Sequence, residues 1–205
     1  LDIDNLKFYI TKDIRDKILE KDSTILFDID KINALIDDYI FITFLVGNDF
    51  IPHLPSFSLR SDGLSILLDK YIDLYCLYED NLINCKKKKF NMNFITTYFR
   101  ELALIEDDLL KKMSKKRKKF RFRGRSYKSE YEKKMDLLNQ KPILDQSRED
   151  YIDIGNPNWE YRYYNKCLKI YDEEDIEQCC RNYLMGIVWT YEYYFNGCVC
   201  WNYKY

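Results

Sequence analysis

A chain of 205 residues, 46% hydrophobic and 17% aromatic, carries enough apolar material for a buried core, which excludes a disordered tail. Its formal net charge of −1 excludes a chain-wide polycation, although the basic residues are placed unevenly. Seven cysteines form no C-x-x-C pair, so free thiols in a reducing compartment are expected rather than a disulfide framework or a zinc site.

Taken in chain order, Leu6, Tyr9, Ile10, Ile14 and Ile18 have the spacing of an amphipathic helix over residues 1–20. A second helix is expected over 29–46, capped by Asp28 or Asp30, with Ile32, Leu35, Ile36, Tyr39 and Ile40 as its stripe. Gly47 suits its C-terminal cap, and Pro52 and Pro55 bar its continuation. A third helix runs from Ser61 to about Tyr78 on Leu64, Leu67, Leu68, Tyr71 and Leu74. Lys86–Lys89 marks a loop. A fourth helix covers 91–113, with Phe94, Tyr98, Leu102, Ile105 and Leu109 inward. Residues 111–134 hold little that fills a core, and predict a charged helix extension or a flexible insertion reaching about residue 150. A loop with Gly155, Pro157 and Trp159 precedes an aromatic helix from about Glu173 to Phe195, which Gly197 can end. Few segments alternate with period two, so the chain reads as mainly α.

The first residues, LDIDNLKFYI, lack a basic start, a cleavage site and an initiator Met, so a fragment or a processed chain is expected. The apolar run 39–46 is too short to span a bilayer. Glu192 and Asn196 interrupt the run 183–201. Both read as core, and no membrane partner is expected.

The stretch FLVGNDFIPHLPS, residues 44–56, concentrates the chemistry. Asp49 follows a helix stop, beside two prolines and the single histidine, His53. A carboxylate held on such a backbone can ligate a hard cation such as Mg²⁺, or can bond its own turn. Two-metal phosphodiester cleavage needs several carboxylates around ions about 4 Å apart, so one Asp does not suffice. Asp37 and Asp38, about 15 Å earlier along the helix axis, read as exposed residues or salt-bridge partners. The basic run 111–128, with Phe120, Phe122 and Tyr127, reads as a charged insertion, a phosphate-gripping surface or, through K-K-R-K-K, a nuclear import signal.

The stretch IDDYIFITFLVGNDFIPHLPS, residues 36–56, resembles the signature of the Xrn family of 5′→3′ exoribonucleases. LKFYI at 6–10, SLRSDGLSILLDKY at 58–71, INCKKKKFNMNFITTYFRELALIEDDLLKK at 83–112, NWEYRYYNKCL at 158–168 and YLMGIVWTYEYYFNGCVCW at 183–201 are similar to further family segments, in the family's order. The resemblance spares only about residues 115–150. It implies the C-terminal, helical part of an α/β nuclease core of the PIN and flap-endonuclease type. It also implies RNA with a 5′ monophosphate as substrate, and Mg²⁺ or Mn²⁺ as cofactor, two ions in the complete enzyme. It makes Asp49 a catalytic metal ligand, places Gly47, Asn48 and His53 as supports of that motif, and makes Trp189 a stacking platform for the 5′-terminal base. Without it, Trp189 reads as a core residue; Trp159 and Trp201 read as structural.

The family's other acids and its 5′-phosphate pocket match nothing in the chain, Cys200 stands where serine is usual, and Ser61-Asp62 where glutamate–glycine is usual. The expectation is therefore a piece of the enzyme, inactive alone. Residues 1–113 form the helical end of its first core region, 114–150 a charged insertion, and 151–205 the aromatic part of its second. LRSDG and IEDDLLKKMSKKRK favour the nuclear type over the cytoplasmic. The alternatives are a non-catalytic RNA-binding or scaffold module of the same fold, and a helical domain that binds a protein partner.

Overall fold

The computed structural model of the chain describes residues 2–59, 62–84, 89–119, 126–144 and 147–203. The expected loop at Lys86, the Ser61 position, Phe120 and Phe122 lie outside them. The described elements are α1 (Ile3–Lys21), α2 (Ile29–Leu45), α3 (Gly63–Tyr78), β1 (Ile83–Asn84), β2 (Lys89–Phe90), α4 (Met92–Lys118), α5 (Glu130–Leu144), α6 (Ser147–Ile152), α7 (Trp159–Tyr163), a π-helical turn (Tyr164–Leu168) and α8 (Glu173–Asn196). The fold is mainly helical. Its two-residue strands pair antiparallel, Ile83 with Phe90 and Asn84 with Lys89, so Lys89 ends in a ladder and not in the expected loop. No described helix is long and apolar enough to cross a membrane.

The chain divides into two compact units, residues 1–106 with 181–205, and residues 107–180. In the first, Asp2 caps α1 by accepting from the Asn5 N–H at 3.0 Å, and Asp28 caps α2 by accepting from the Lys31 N–H at 2.8 Å. The core joins Ile14 and Ile18 of α1, Leu35, Phe41, Ile42 and Leu45 of α2, and Leu67, Tyr71 and Tyr75 of α3 to Tyr98 and Leu102 of α4. The Tyr98 hydroxyl donates to Leu67 O at 2.9 Å, which satisfies a buried polar group while fixing α4 on α3. Lys21 pairs with Asp73 across α1 and α3.

The stripe expected on α2 is rotated. Ile32, Ile36, Tyr39 and Ile40 are only half-buried, while Ala34, Leu35, Asp37, Asp38, Phe41, Ile42 and Leu45 are buried. This helix is apolar nearly all round, so periodicity could not single out one face. Leu6 and Tyr9 of α1, expected inward, are exposed.

In the second unit, the Arg162 guanidinium donates to Ile152 O and Pro157 O, each at 2.8 Å, and to Asp153 O at 3.2 Å. One side chain thereby ties the carbonyl of Ile152 at the end of α6 to those of Asp153 and Pro157 in the loop before α7. Arg117 pairs with Glu149 at 2.9 Å and holds α6 to the end of α4.

Candidate functional site

The turn after α2 is built by Gly47 and Asn48. Gly47 has φ +89°, in the left-handed region, and a Cβ there would meet His53 N at 2.9 Å. The Asn48 side-chain oxygen accepts from the N–H groups of Phe50 at 2.8 Å and Ile51 at 3.0 Å, while its backbone N–H donates to Ile51 O at 3.0 Å. Leu54 N–H donates to Leu45 O at 2.9 Å and draws the proline exit back on the helix end. His53 is exposed, and its Nδ1 lies 2.7 Å from Leu54 O.

Asn48 therefore makes the side-chain bonds that an Asx turn requires, and Asp49 makes none. Among the described residues the Asp49 carboxylate is exposed and has no hydrogen-bond or ion-pair partner. Both of its oxygens are open, which is the chemistry a hard cation takes from a protein. As a donor set it suits one ligand position. No group of three or more His, Cys, Asp or Glu able to hold a metal occurs among the described residues.

Helix α8 holds this turn from the other side. Phe50, next to Asp49, meets Trp189 edge-on at 5.3 Å, Tyr193 at 4.9 Å and Tyr194 at 6.2 Å. The Tyr183 hydroxyl donates to Pro52 O at 3.2 Å. The structure thus brings Trp189 and the Asp49 turn together through Phe50. The Trp189 indole is half-buried, lies nearly parallel to Tyr193 and Tyr203 at 5.3 and 5.6 Å, and donates through Nε1 to Cys200 O at 3.0 Å. Trp201, expected to be structural, is 86% exposed.

The residue that spacing misplaced is Asp38. It is not exposed, and among the described residues it has no ion pair: it is 0% exposed, and Asp37 beside it is 6% exposed. Asp38 Oδ2 accepts from the Tyr71 hydroxyl at 2.7 Å, Asn81 Nδ2 at 2.9 Å and the Leu82 N–H at 3.0 Å, and Oδ1 accepts from the Ile83 N–H at 2.8 Å. Burial pushes this carboxyl up to about 7, against the downward pull of those four hydrogen bonds. The same burial, with Asp38 alongside, raises the Tyr71 hydroxyl well above its usual range. Asp38 is a brace that ties α2 to α3 and to the start of β1, and so fixes the helix from whose end Asp49 projects.

The sequence profile of the family described as the Xrn1 helical domain matches residues 27–150 and 125–205. Among curated relatives, a 5′-3′ exoribonuclease 2 homologue of Drosophila melanogaster is 24% identical over 212 residues, covering 82% of this chain and 23% of the relative. The 5′-3′ exoribonuclease 2 of Yarrowia lipolytica is 28% identical over 170 residues, covering 78% of this chain and 16% of the relative. Human 5′-3′ exoribonuclease 1 is 44% identical over 57 residues, covering 28% of this chain and 3% of the relative. The chain thus spans less than a quarter of the length of these relatives. With a profile match that extends over most of its residues, the chain belongs to the Xrn1 helical-domain family.

Proposed function

We propose that this chain is part of a metal-dependent 5′→3′ exoribonuclease that degrades RNA with a 5′ monophosphate, and that Asp49 is one of the carboxylates that hold its Mg²⁺ or Mn²⁺. The observation that carries this reading is the division of labour in the turn: Asn48 satisfies the backbone, and the Asp49 oxygens are left open. The names of the relatives supply the reaction class. The chemistry such an ion supplies is stabilisation of charge developing on the scissile phosphate. The chain's own part is to present one carboxylate on a backbone held by Gly47, Asn48 and the aromatic clamp of α8. Among the described residues it offers a single ligand at this turn, so the chain by itself is inactive in this reading.

Trp189 enters the proposal as the platform for the terminal base. Its support is the contact with Phe50, which sets the indole beside the Asp49 turn. Stacking accepts any base, as an enzyme that digests arbitrary RNA requires.

The test uses the full-length parent. Asp49→Ala lowers hydrolysis of 5′-phosphorylated RNA by at least about a hundredfold and leaves RNA binding nearly unchanged, because the ligand acts on the transition state more than on the bound substrate. Wild-type turnover by that variant rejects the role of Asp49. A wild-type parent that binds RNA and never cleaves it leaves the non-catalytic module as the better reading. Trp189→Ala weakens binding by about 1–3 kcal/mol if the base stacks there.

A further inference from the structure

The end of α4 separates its cations into two sets. Lys111 pairs with Asp107 at 3.6 Å, Arg117 with Glu149 at 2.9 Å and Lys118 with Asp153 at 3.7 Å. These three lie on the side of the helix that includes buried Leu110. Lys112, Lys115, Lys116 and Lys119 are all exposed, and among the described residues none has a hydrogen bond or ion pair through its side chain. Lys119 stays in helical register, its backbone N–H donating to Lys115 O at 3.3 Å.

Their spacing of i, i+3, i+4 and i+7 sets the four ammonium groups within an arc of about 100° and about 10 Å of axis. One acid, exposed Asp108, shares that arc one turn earlier. Lys112 with Lys116, and Lys115 with Lys119, are like-charged pairs at i,i+4, which destabilise a helix. The helix dipole favours cations only in the last turn, so it does not account for Lys112. The apolar side of the segment faces inward at Leu110, which is the wrong polarity for a helix lying in a lipid surface.

We propose that Lys112, Lys115, Lys116 and Lys119 form a sequence-independent contact for the phosphate backbone of single-stranded RNA. The proposal deepens the exoribonuclease reading and rests on it for the choice of RNA as the polyanion. Lysines spread over this distance can meet successive phosphates, and no base is read.

The experiment compares the full-length parent with a variant carrying Lys112→Gln, Lys115→Gln, Lys116→Gln and Lys119→Gln. Glutamine keeps nearly the helix propensity of lysine, and the melting temperature of the variant verifies folding. Binding to a mixed-sequence single-stranded RNA is titrated against salt with divalent ions chelated, so that no turnover intervenes. The slope of log affinity against log salt should become shallower by about 0.7 for each phosphate that the variant no longer neutralises, and the matching Lys→Arg variant should keep the wild-type slope. An unchanged slope in a folded glutamine variant overturns the proposal. An unchanged slope with failure of nuclear entry also overturns it, and assigns the stripe to an import receptor. A shallower slope in a parent that never hydrolyses RNA keeps the RNA-binding stripe and rejects only the exoribonuclease reading.

Discussion

Two carboxylates, one in the middle of α2 and one in the turn after it, meet opposite fates. Asp38 is sealed from water and accepts four hydrogen bonds; Asp49 is exposed and, among the described residues, accepts none. A buried carboxylate is tolerated only when donors replace its lost hydration, and those donors then depend on it. The exposed one is held by its backbone alone, so its oxygens remain free for an external partner. The fold leans on one acid and presents the other.

Mutations can break that contrast, the most damaging first. Asp38→Ala strands the Tyr71 hydroxyl, the Asn81 amide and two backbone N–H groups, and should lower stability by about 3–5 kcal/mol, read from the denaturant midpoint. A loss below about 1 kcal/mol would mean that the brace carries little of the fold. Gly47→Ala places a side chain at positive φ and against His53 N, and should cost about 1–3 kcal/mol in a thermal melt.

Asp38→Asn retains one acceptor and turns its amide toward a donor, for an expected loss of about 1–2 kcal/mol. It should also remove a pH dependence. The folded chain raises the Asp38 carboxyl from 3.8 to about 7, chiefly by burial, so folding favours its protonated form. The stability it contributes is complete below about pH 4 and is lost as pH rises through about 7. Unfolding midpoints at about pH 5 and pH 8 should differ in the wild type in that direction, and differ less in the Asn variant. The mildest change belongs to Asp49→Ala: an exposed group without partners should change stability by no more than about 0.5 kcal/mol. A larger loss would show that the turn uses Asp49 after all.

Helices α1, α2, α3, α4 and α8 were legible because each carries apolar residues at helical spacing; α5 and most of α6 fall where a charged extension or flexible insertion was expected, and α7 starts at Trp159, which was expected in a loop. The turn was legible as well, since Gly47 and the two prolines leave the chain few options. The inward face of α2 was not legible. Apolar residues surround that helix, and an acid in its middle looks like a solvated one until Tyr71, Asn81, Leu82 and Ile83 are known to converge on it. The two-residue ladder of β1 and β2 is too short to show any alternation. Along the basic run the sequence could count cations but could not sort them, because the acids that pair with Arg117 and Lys118 come from α6 and the loop after it.

The donors to Asp38 lie 33 to 45 residues further along the chain. During synthesis, α2 therefore emerges with an acid whose partners do not yet exist. Until Ile83 has left the ribosome, that carboxylate keeps its hydration and holds one side of a very apolar helix in contact with solvent. Closing this long loop is entropically costly, so the α2 face is sealed late, and a nascent chain halted before residue 83 should expose an unfinished sticky surface to chaperones.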